Sequence, residues 1–276
     1  MPRKTIDDIL EKKQKAQRIV MLTASDYASA RLVDEAEVDI ILVGDSLANV
    51  VLGYDKTSEV TMEEMLHHAK AVNRAVSRAL LVGDMPYEAY QSDARRAVEN
   101  ARRYRDEAGA SAVKLEWFRD CVEVSQSIIQ AGVPVMGHVG LTPQTAREFK
   151  VQGKDAQSAQ EIFDHALALE KAGVFSLVLE CVPDLLAKKI SENLSVPTIG
   201  IGSGVHCDGQ VLVTHDLLGW ADGFKPKFVK QYADIRGVSL TALNAFCRDV
   251  KDGNFPDDAH SYHMKTDEIR KVKGQA

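Results

Sequence analysis

Cysteine is scarce: Cys121, Cys181, Cys207 and Cys247 stand far apart in 276 residues. That scatter argues against a disulfide framework and against zinc-type spacing, and points to reduced thiols in the cytoplasm. No stretch approaches the roughly 18 consecutive apolar residues of a membrane span. The polar segment 1–15 also lacks the apolar run of a signal peptide. An excess of positive charge is missing too. Lys plus Arg number 34 against 40 Asp plus Glu, and the net charge of -6 is spread along the chain. Such a chain is not expected to have nucleic acid as its main partner. Internal repeats, low-complexity tracts and linkers are absent as well. The chain therefore reads as one domain, 1–276, with a charged tail from about 264 that is expected to fray.

What is present is a rhythm of short apolar runs and longer amphipathic segments. A lead-in helix is predicted over 5–15, with Thr5 and Asp8 at capping-box spacing. Strands are predicted at 18–24, 38–43, 79–82, 111–115, 133–137, 176–179 and 196–201, with a vaguer eighth unit near 211–218. Helices are expected between them, the longest over 61–78, opened by Thr61 and Glu64, and a helix over 239–250 is expected to close the domain. Strand, helix, strand repeated about eight times favours a parallel (β/α)8 barrel over an open doubly wound sheet.

In a barrel, catalytic groups come from the C-terminal ends of the strands. Reading the residue after each apolar run yields Asp45 and Ser46, Asp84, Lys114 and Glu116, His138, and Glu180. One such residue alone reads as a helix cap or a solvated loop carboxylate. Five consecutive strands delivering ionisable groups to one rim read as an active site. Lys114 and Glu116, two apart on a strand, share a face, and a buried ion pair is the plainer account of them. Asp45, Asp84 and Glu116 supply hard oxygen ligands, which suit Mg²⁺. Glu180, with no evident metal role, is read as a general base whose pKa must be raised by burial or acidic neighbours. A fourth carboxylate in the metal shell is the alternative. His67 and His68, adjacent on a helix, read as partly exposed histidines. His206–Cys207–Asp208 has too few partners for a metal site. The glycines at 200, 202 and 204 fit a phosphate-binding loop or a tight turn equally well. Mg²⁺ chelated by an α-keto acid would polarise the keto oxygen while a base removes a proton from the neighbouring carbon. Composition does not name the electrophile.

The segments VDIILVGDSL, VTMEEMLHH, LLVGDMPY, VKLE, VMGHVGLTPQ, KVQGK, LVLECVP, PTIGIGSG, CDGQVLVTHDLLG and PKFVKQYADI resemble those of the ketopantoate hydroxymethyltransferase family, in family order over about residues 16–260. The resemblance implies a (β/α)8 TIM barrel of the phosphoenolpyruvate/pyruvate type. It implies transfer of a hydroxymethyl group from 5,10-methylenetetrahydrofolate to 3-methyl-2-oxobutanoate through a Mg²⁺-stabilised enolate, giving 2-dehydropantoate and tetrahydrofolate. It also implies metal ligation by Asp45 and Asp84 with Glu116 in the shell, and one Mg²⁺ per subunit. Keto-acid contacts from Asp45, Ser46, Asp84 and Lys114 follow, with His138 lining the pocket and Glu180 as the proton acceptor. Members of this family are commonly homodecamers, so the resemblance implies a homo-oligomer. A related Mg²⁺-dependent carbon–carbon lyase or aldolase is the alternative activity. The chain departs from the family pattern at Ser25, where tyrosine is usual, at Ala48–Asn49, at Thr57–Val60, at Ser203, and in a shortened stretch between Gln144 and Lys150.

Overall fold

A computed structural model describes residues 2–146, 148–220 and 225–272. Eight parallel strands close into a barrel in sequence order: β1 (Ile19–Thr23), β2 (Ile40–Val43), β3 (Leu80–Asp84), β4 (Ala112–Lys114), β5 (Val135–Gly140), β6 (Ser176–Glu180), β7 (Thr198–Ile201) and β8 (Gly209–Leu212), with β8 pairing back to β1. The helices are α1 (Ile6–Gln14), α2 (Tyr27–Glu35), α3 (Leu47–Val50), α4 (Met62–Ala75), α5 (Ala94–Asp106), α6 (Cys121–Gln130), α7 (Ala156–Ala172), α8 (Asp184–Asn193), α9 (Thr214–Leu218), α10 (Ile235–Lys251) and α11 (Thr266–Ile269). Both expected capping boxes are formed, Thr5 with Asp8 and Thr61 with Glu64. No helix among the described residues is long and apolar enough to cross a membrane.

Alternation along the strands divides the core in two. One face of each strand meets the surrounding helices. The other face fills the barrel with Ile19, Met21, Ile40, Leu42, Leu80, Val82, Ala112, Met136, Val178, Ile199, Ile201 and Val211. Ile9 of α1 joins this inner cluster, so the lead-in helix contributes to the barrel's own core. Two steps above these apolar positions the same inward parity falls on Asp84, Lys114, His138 and Glu180. The barrel therefore carries its charged groups as a layer directly above an apolar floor.

Two expectations need correction at the end of the chain. The eighth unit, expected near 211–218, begins at Gly209 and is a strand followed by a helix. β8 ends at Leu212, and α9 follows from Thr214. Gly209 packs close against Ile19, and a β-carbon there would lie 2.5 Å from the Ile19 carbonyl oxygen, which explains a strand start that hydrophobicity does not mark. β7 and β8 are joined by residues 202–208 alone, without a helix. Seven extended residues reach about 23 Å, enough to run back past strands of four residues. Gly202 and Gly204, both at positive φ, turn this connection, and the Ser203 hydroxyl pins it by donating to the Leu179 carbonyl at 2.7 Å.

The second correction concerns α10, which does not close the barrel. None of its residues is buried, and Leu240, Leu243, Phe246 and Val250 lie exposed at helical spacing. On the barrel, the outer faces of β1 and β8 are correspondingly uncovered. Val20 is 50 % exposed, whereas β2, β3, β4 and β7 are buried along their whole length. The described part of the tail, to Val272, is exposed and contains α11, and residues 273–276 lie outside the described residues.

Candidate active site

A cavity of about 560 Å³ opens at the C-terminal end of the barrel. Asp45, Ser46, Asp84, Lys114 and Glu180 line it, as expected for residues that follow apolar runs. Glu116 and His138 are almost wholly buried behind that lining.

Asp84 and Lys114 are register partners on adjacent strands, and their side chains project to the same face. The Lys114 ammonium donates to both Asp84 oxygens at 2.9 Å, and the Asp45 backbone N–H donates to one of them at 3.2 Å. The ion pair is therefore Lys114 with Asp84, one strand away, and not with Glu116 on its own strand. Burial raises the Asp84 carboxyl to about 7 against the pull of Lys114, with Asp45 adding to the rise. Burial opposes the charge of Lys114, but Asp84, Asp45 and Glu116 outweigh it and raise the ammonium's pKa. Each charge of the pair offsets part of the cost of burying the other.

Glu116 accepts the Gln144 backbone N–H at 3.2 Å, and its own N–H donates to the Tyr90 hydroxyl oxygen at 3.3 Å. Among the described residues, its other carboxylate oxygen is buried without a hydrogen bond, as is Oδ2 of Asp45. Burial pushes the Glu116 carboxyl well above its ordinary range, against Lys114 and reinforced by Asp45, Asp84 and Glu180. Asp45, Asp84 and Glu116 offer only oxygen donors, which hard divalent cations prefer. As the side chains stand, no three Asp, Glu, His or Cys residues among those described converge closely enough to hold a metal ion. Asp84 is turned toward Lys114 instead.

Glu180 ends β6 with its side chain 15 % exposed toward the cavity. Burial raises its carboxyl to about 8, and Asp45 and Asp84 add to the rise while Lys114 opposes it. The next residue, Cys181, has φ of 49°, a left-handed conformation uncommon for a side-chain-bearing residue, so the chain turns sharply after the carboxylate. His138 lies 3.7 Å from Glu180. Its Nε2–H donates to the Leu141 carbonyl at 2.6 Å, because a carbonyl can only accept. Burial and Lys114 push the imidazole's pKa well below its usual value, so it is neutral with a bare Nδ1.

Several supporting residues carry no strand-end signal. The Tyr104 hydroxyl, on α5, donates to the Asp84 carbonyl at 2.5 Å. Its ring fills the space where a β-carbon on Gly83 would stand, 2.3 Å away, so glycine before Asp84 is a packing requirement. The Gln144 side chain donates to the Met85 carbonyl and accepts from the Tyr87 N–H, tying the β5 loop to the β3 loop. The LTPQ motif marked Gln144, but nothing in the sequence connected it to Glu116.

Other candidates resolve into structure. Asp208 accepts from Lys13 at 2.8 Å and from the Thr198 backbone and hydroxyl, so His206–Cys207–Asp208 anchors the β7–β8 connection. His67 is exposed, and the Nδ1–H of His68 donates to the Ser25 carbonyl at 2.6 Å. Ser25 itself is buried, with no partner for its hydroxyl among the described residues. The glycines of 200–204 are accounted for by close packing, with Gly202 against Phe228 and Gly204 against Asp184.

The geometry as it stands can hold a small anion over Lys114 and present a carboxylate to a carbon beside it. The profile of the ketopantoate hydroxymethyltransferase family matches residues 3–258. A 3-methyl-2-oxobutanoate hydroxymethyltransferase of Syntrophomonas wolfei is 49 % identical over 275 residues, 99 % of this chain and 100 % of that protein. The enzyme of the same description from Heliobacterium modesticaldum is 52 % identical over 263 residues, 94 % of this chain and 95 % of the other. Among solved structures, phosphonopyruvate hydrolase superposes with a TM-score of 0.62 at 16 % identity, covering 98 % of this chain and 94 % of the other. A 2,3-dimethylmalate lyase of the PEP mutase/isocitrate lyase superfamily superposes with a TM-score of 0.58 at 12 % identity, covering 98 % and 95 %. At such identities these structures speak for the barrel alone.

Proposed function

The chain belongs to the ketopantoate hydroxymethyltransferase family, and on that premise we propose that it transfers a hydroxymethyl group from 5,10-methylenetetrahydrofolate to 3-methyl-2-oxobutanoate, with Mg²⁺ as its metal. It is a transferase. The observation that supports this reading best is a raised carboxyl, Glu180, facing the same cavity as the Lys114–Asp84 pair.

Asp45 and Asp84 would hold the ion, with Glu116 in its shell, and their oxygen donors fit Mg²⁺. When bound, it supplies Lewis-acid polarisation of the 2-oxo group. Ser46, whose hydroxyl makes no hydrogen bond among the described residues, and Lys114 orient the keto acid. Lys114 sets positive charge beside the oxygen on which negative charge develops. Glu180, ionised, takes the proton from C3, and the C–H electrons pass into the enolate. C3 then attacks the methylene carbon of the donor as one of its two C–N bonds breaks, and water supplies the hydroxyl oxygen as the second breaks, the proton from C3 and one from water passing to the two nitrogens of tetrahydrofolate. His138, neutral and fixed by Leu141, packs beside Glu180 without adding a charge.

Purified protein given the keto acid, methylenetetrahydrofolate and Mg²⁺ is expected to form 2-dehydropantoate. Absence of product with an active donor and any divalent metal ends the reading. Turnover of the keto acid without folate would instead identify a carbon–carbon lyase. The exposed apolar stripe of α10 and the bare outer face of β1 support self-association, for which the family resemblance suggests a decamer. The four free cysteines suit a reducing cytoplasm.

A further inference from the structure

The keto acid needs only the floor of the cavity. A volume of about 560 Å³ is the size that encloses a drug-sized ligand, far more than a five-carbon acid fills. The cavity's lining extends beyond the charged layer to Asp216 of α9, to Lys227 and Phe228, and to Phe149 and Lys150 of the β5 loop. Asp216 of α9 lines this space half-buried. Burial raises its carboxyl, and no hydrogen-bond donor reaches its side chain among the described residues. Phe228 packs against Gly202 and the inner cluster and presents a fixed aromatic wall. Phe149, from the β5 loop, lines the same space yet is 70 % exposed, so its ring is not held in either core. Lys227 stands exposed at the rim beside Phe228, with no ion pair among the described residues.

We propose that Asp216, Phe228, Phe149 and Lys227 form the subsite for the one-carbon donor. The inference rests on the reading above that the donor is a reduced folate, and it assigns which residues hold it. The chemistry of each group matches a part of such a molecule. The pterin edge carries two parallel N–H donors, N3–H and the 2-amino group, and a carboxylate accepts such a pair in two parallel hydrogen bonds. The flat ring systems lie against Phe228 and Phe149. The glutamate tail is anionic and leaves the cavity at Lys227. Asp216 follows β8 and Glu180 ends β6, with β7 between them, and both open into one cavity. A donor held on Asp216 therefore shares that cavity with the carbon that Glu180 deprotonates.

Two variants test this, Asp216→Asn within the cavity and Lys227→Ala on its exposed rim. Steady-state KM is measured for each substrate with the other saturating, and tetrahydrofolate binding is followed by calorimetry without turnover. Loss of a charge-assisted hydrogen-bond pair predicts a ten- to hundredfold rise in donor KM and in the tetrahydrofolate Kd for Asp216→Asn, with keto-acid affinity retained. Retained keto-acid affinity also shows that the variant is folded. Lys227→Ala is expected to raise donor KM about threefold and to remove any preference for triglutamyl over monoglutamyl donor. Donor KM and tetrahydrofolate Kd within twofold of wild type in Asp216→Asn would overturn the assignment, as would an equal rise for the keto acid. A wild-type protein that turns over the keto acid but neither uses nor binds the folate removes the donor reading itself, and the subsite with it.

Discussion

Replacing Glu180 with glutamine keeps the shape of the side chain and removes its charge. The fold raises this carboxyl from an ordinary 4.5 to about 8, by burial first and by Asp45 and Asp84 next. Between those two values the folded chain holds a proton that the unfolded chain has released. Stability therefore falls as pH rises through the window, and the cost is absent well below pH 4.5. At pH 7 holding this site against ionisation costs roughly 3 kcal/mol, and at pH 5 less than about 1 kcal/mol. Glutamine resembles the protonated acid and escapes this cost. In metal-free buffer, urea denaturation is expected to show Glu180→Gln more stable than wild type by roughly 3 kcal/mol at pH 7, shrinking toward zero at pH 5. Turnover should fall by about 10²- to 10⁴-fold, the usual contribution of a general base. An equal gain at both pH values, or a loss at pH 7, would refute the electrostatic account. Turnover near wild type would refute the role as base.

Lys114→Met leaves the Asp84 carboxylate buried without its partner, and should destabilise the fold by about 3–5 kcal/mol in the same denaturation assay at pH 8 and abolish keto-acid binding. A fully stable variant would mean that the pair contributes little. Chelation of divalent metal should abolish turnover and weaken keto-acid binding by calorimetry, and unchanged affinity in excess chelator counts against a metal-bridged substrate. Leu243→Glu with Phe246→Glu places two charges on the apolar stripe of α10, and light scattering should then report a smaller particle than wild type. An unchanged mass would exclude that face from the assembly.

Much of the candidate site is legible in the sequence. An acidic residue at the end of an apolar run marks the C-terminal end of a barrel strand, directly for Glu180 and one glycine later for Asp45 and Asp84, and all three line the cavity there. The identity of the lysine's partner was not legible. Lys114 and Glu116 share a face by local parity, yet Asp84 captures the ammonium, because parallel register sets it opposite Lys114 on the next strand. Tyr104, Tyr90 and Gln144 were invisible as supports for the same reason, since each reaches the rim from an element distant in sequence.

The sequence by itself determined what depends on neighbours along the chain: alternation within strands, capping boxes at Thr5 and Thr61, and the order of strand and helix. Only the tertiary structure decided what depends on closure of the barrel. Closure buries Glu180 next to Asp45 and Asp84 and so raises its carboxyl. It leaves Oδ2 of Asp45 and one oxygen of Glu116 without partners among the described residues. It also leaves α10 off the barrel, although its amphipathic pattern suits a covering helix. Hydrophobic periodicity shows that a helix has an apolar face, but not which surface that face meets.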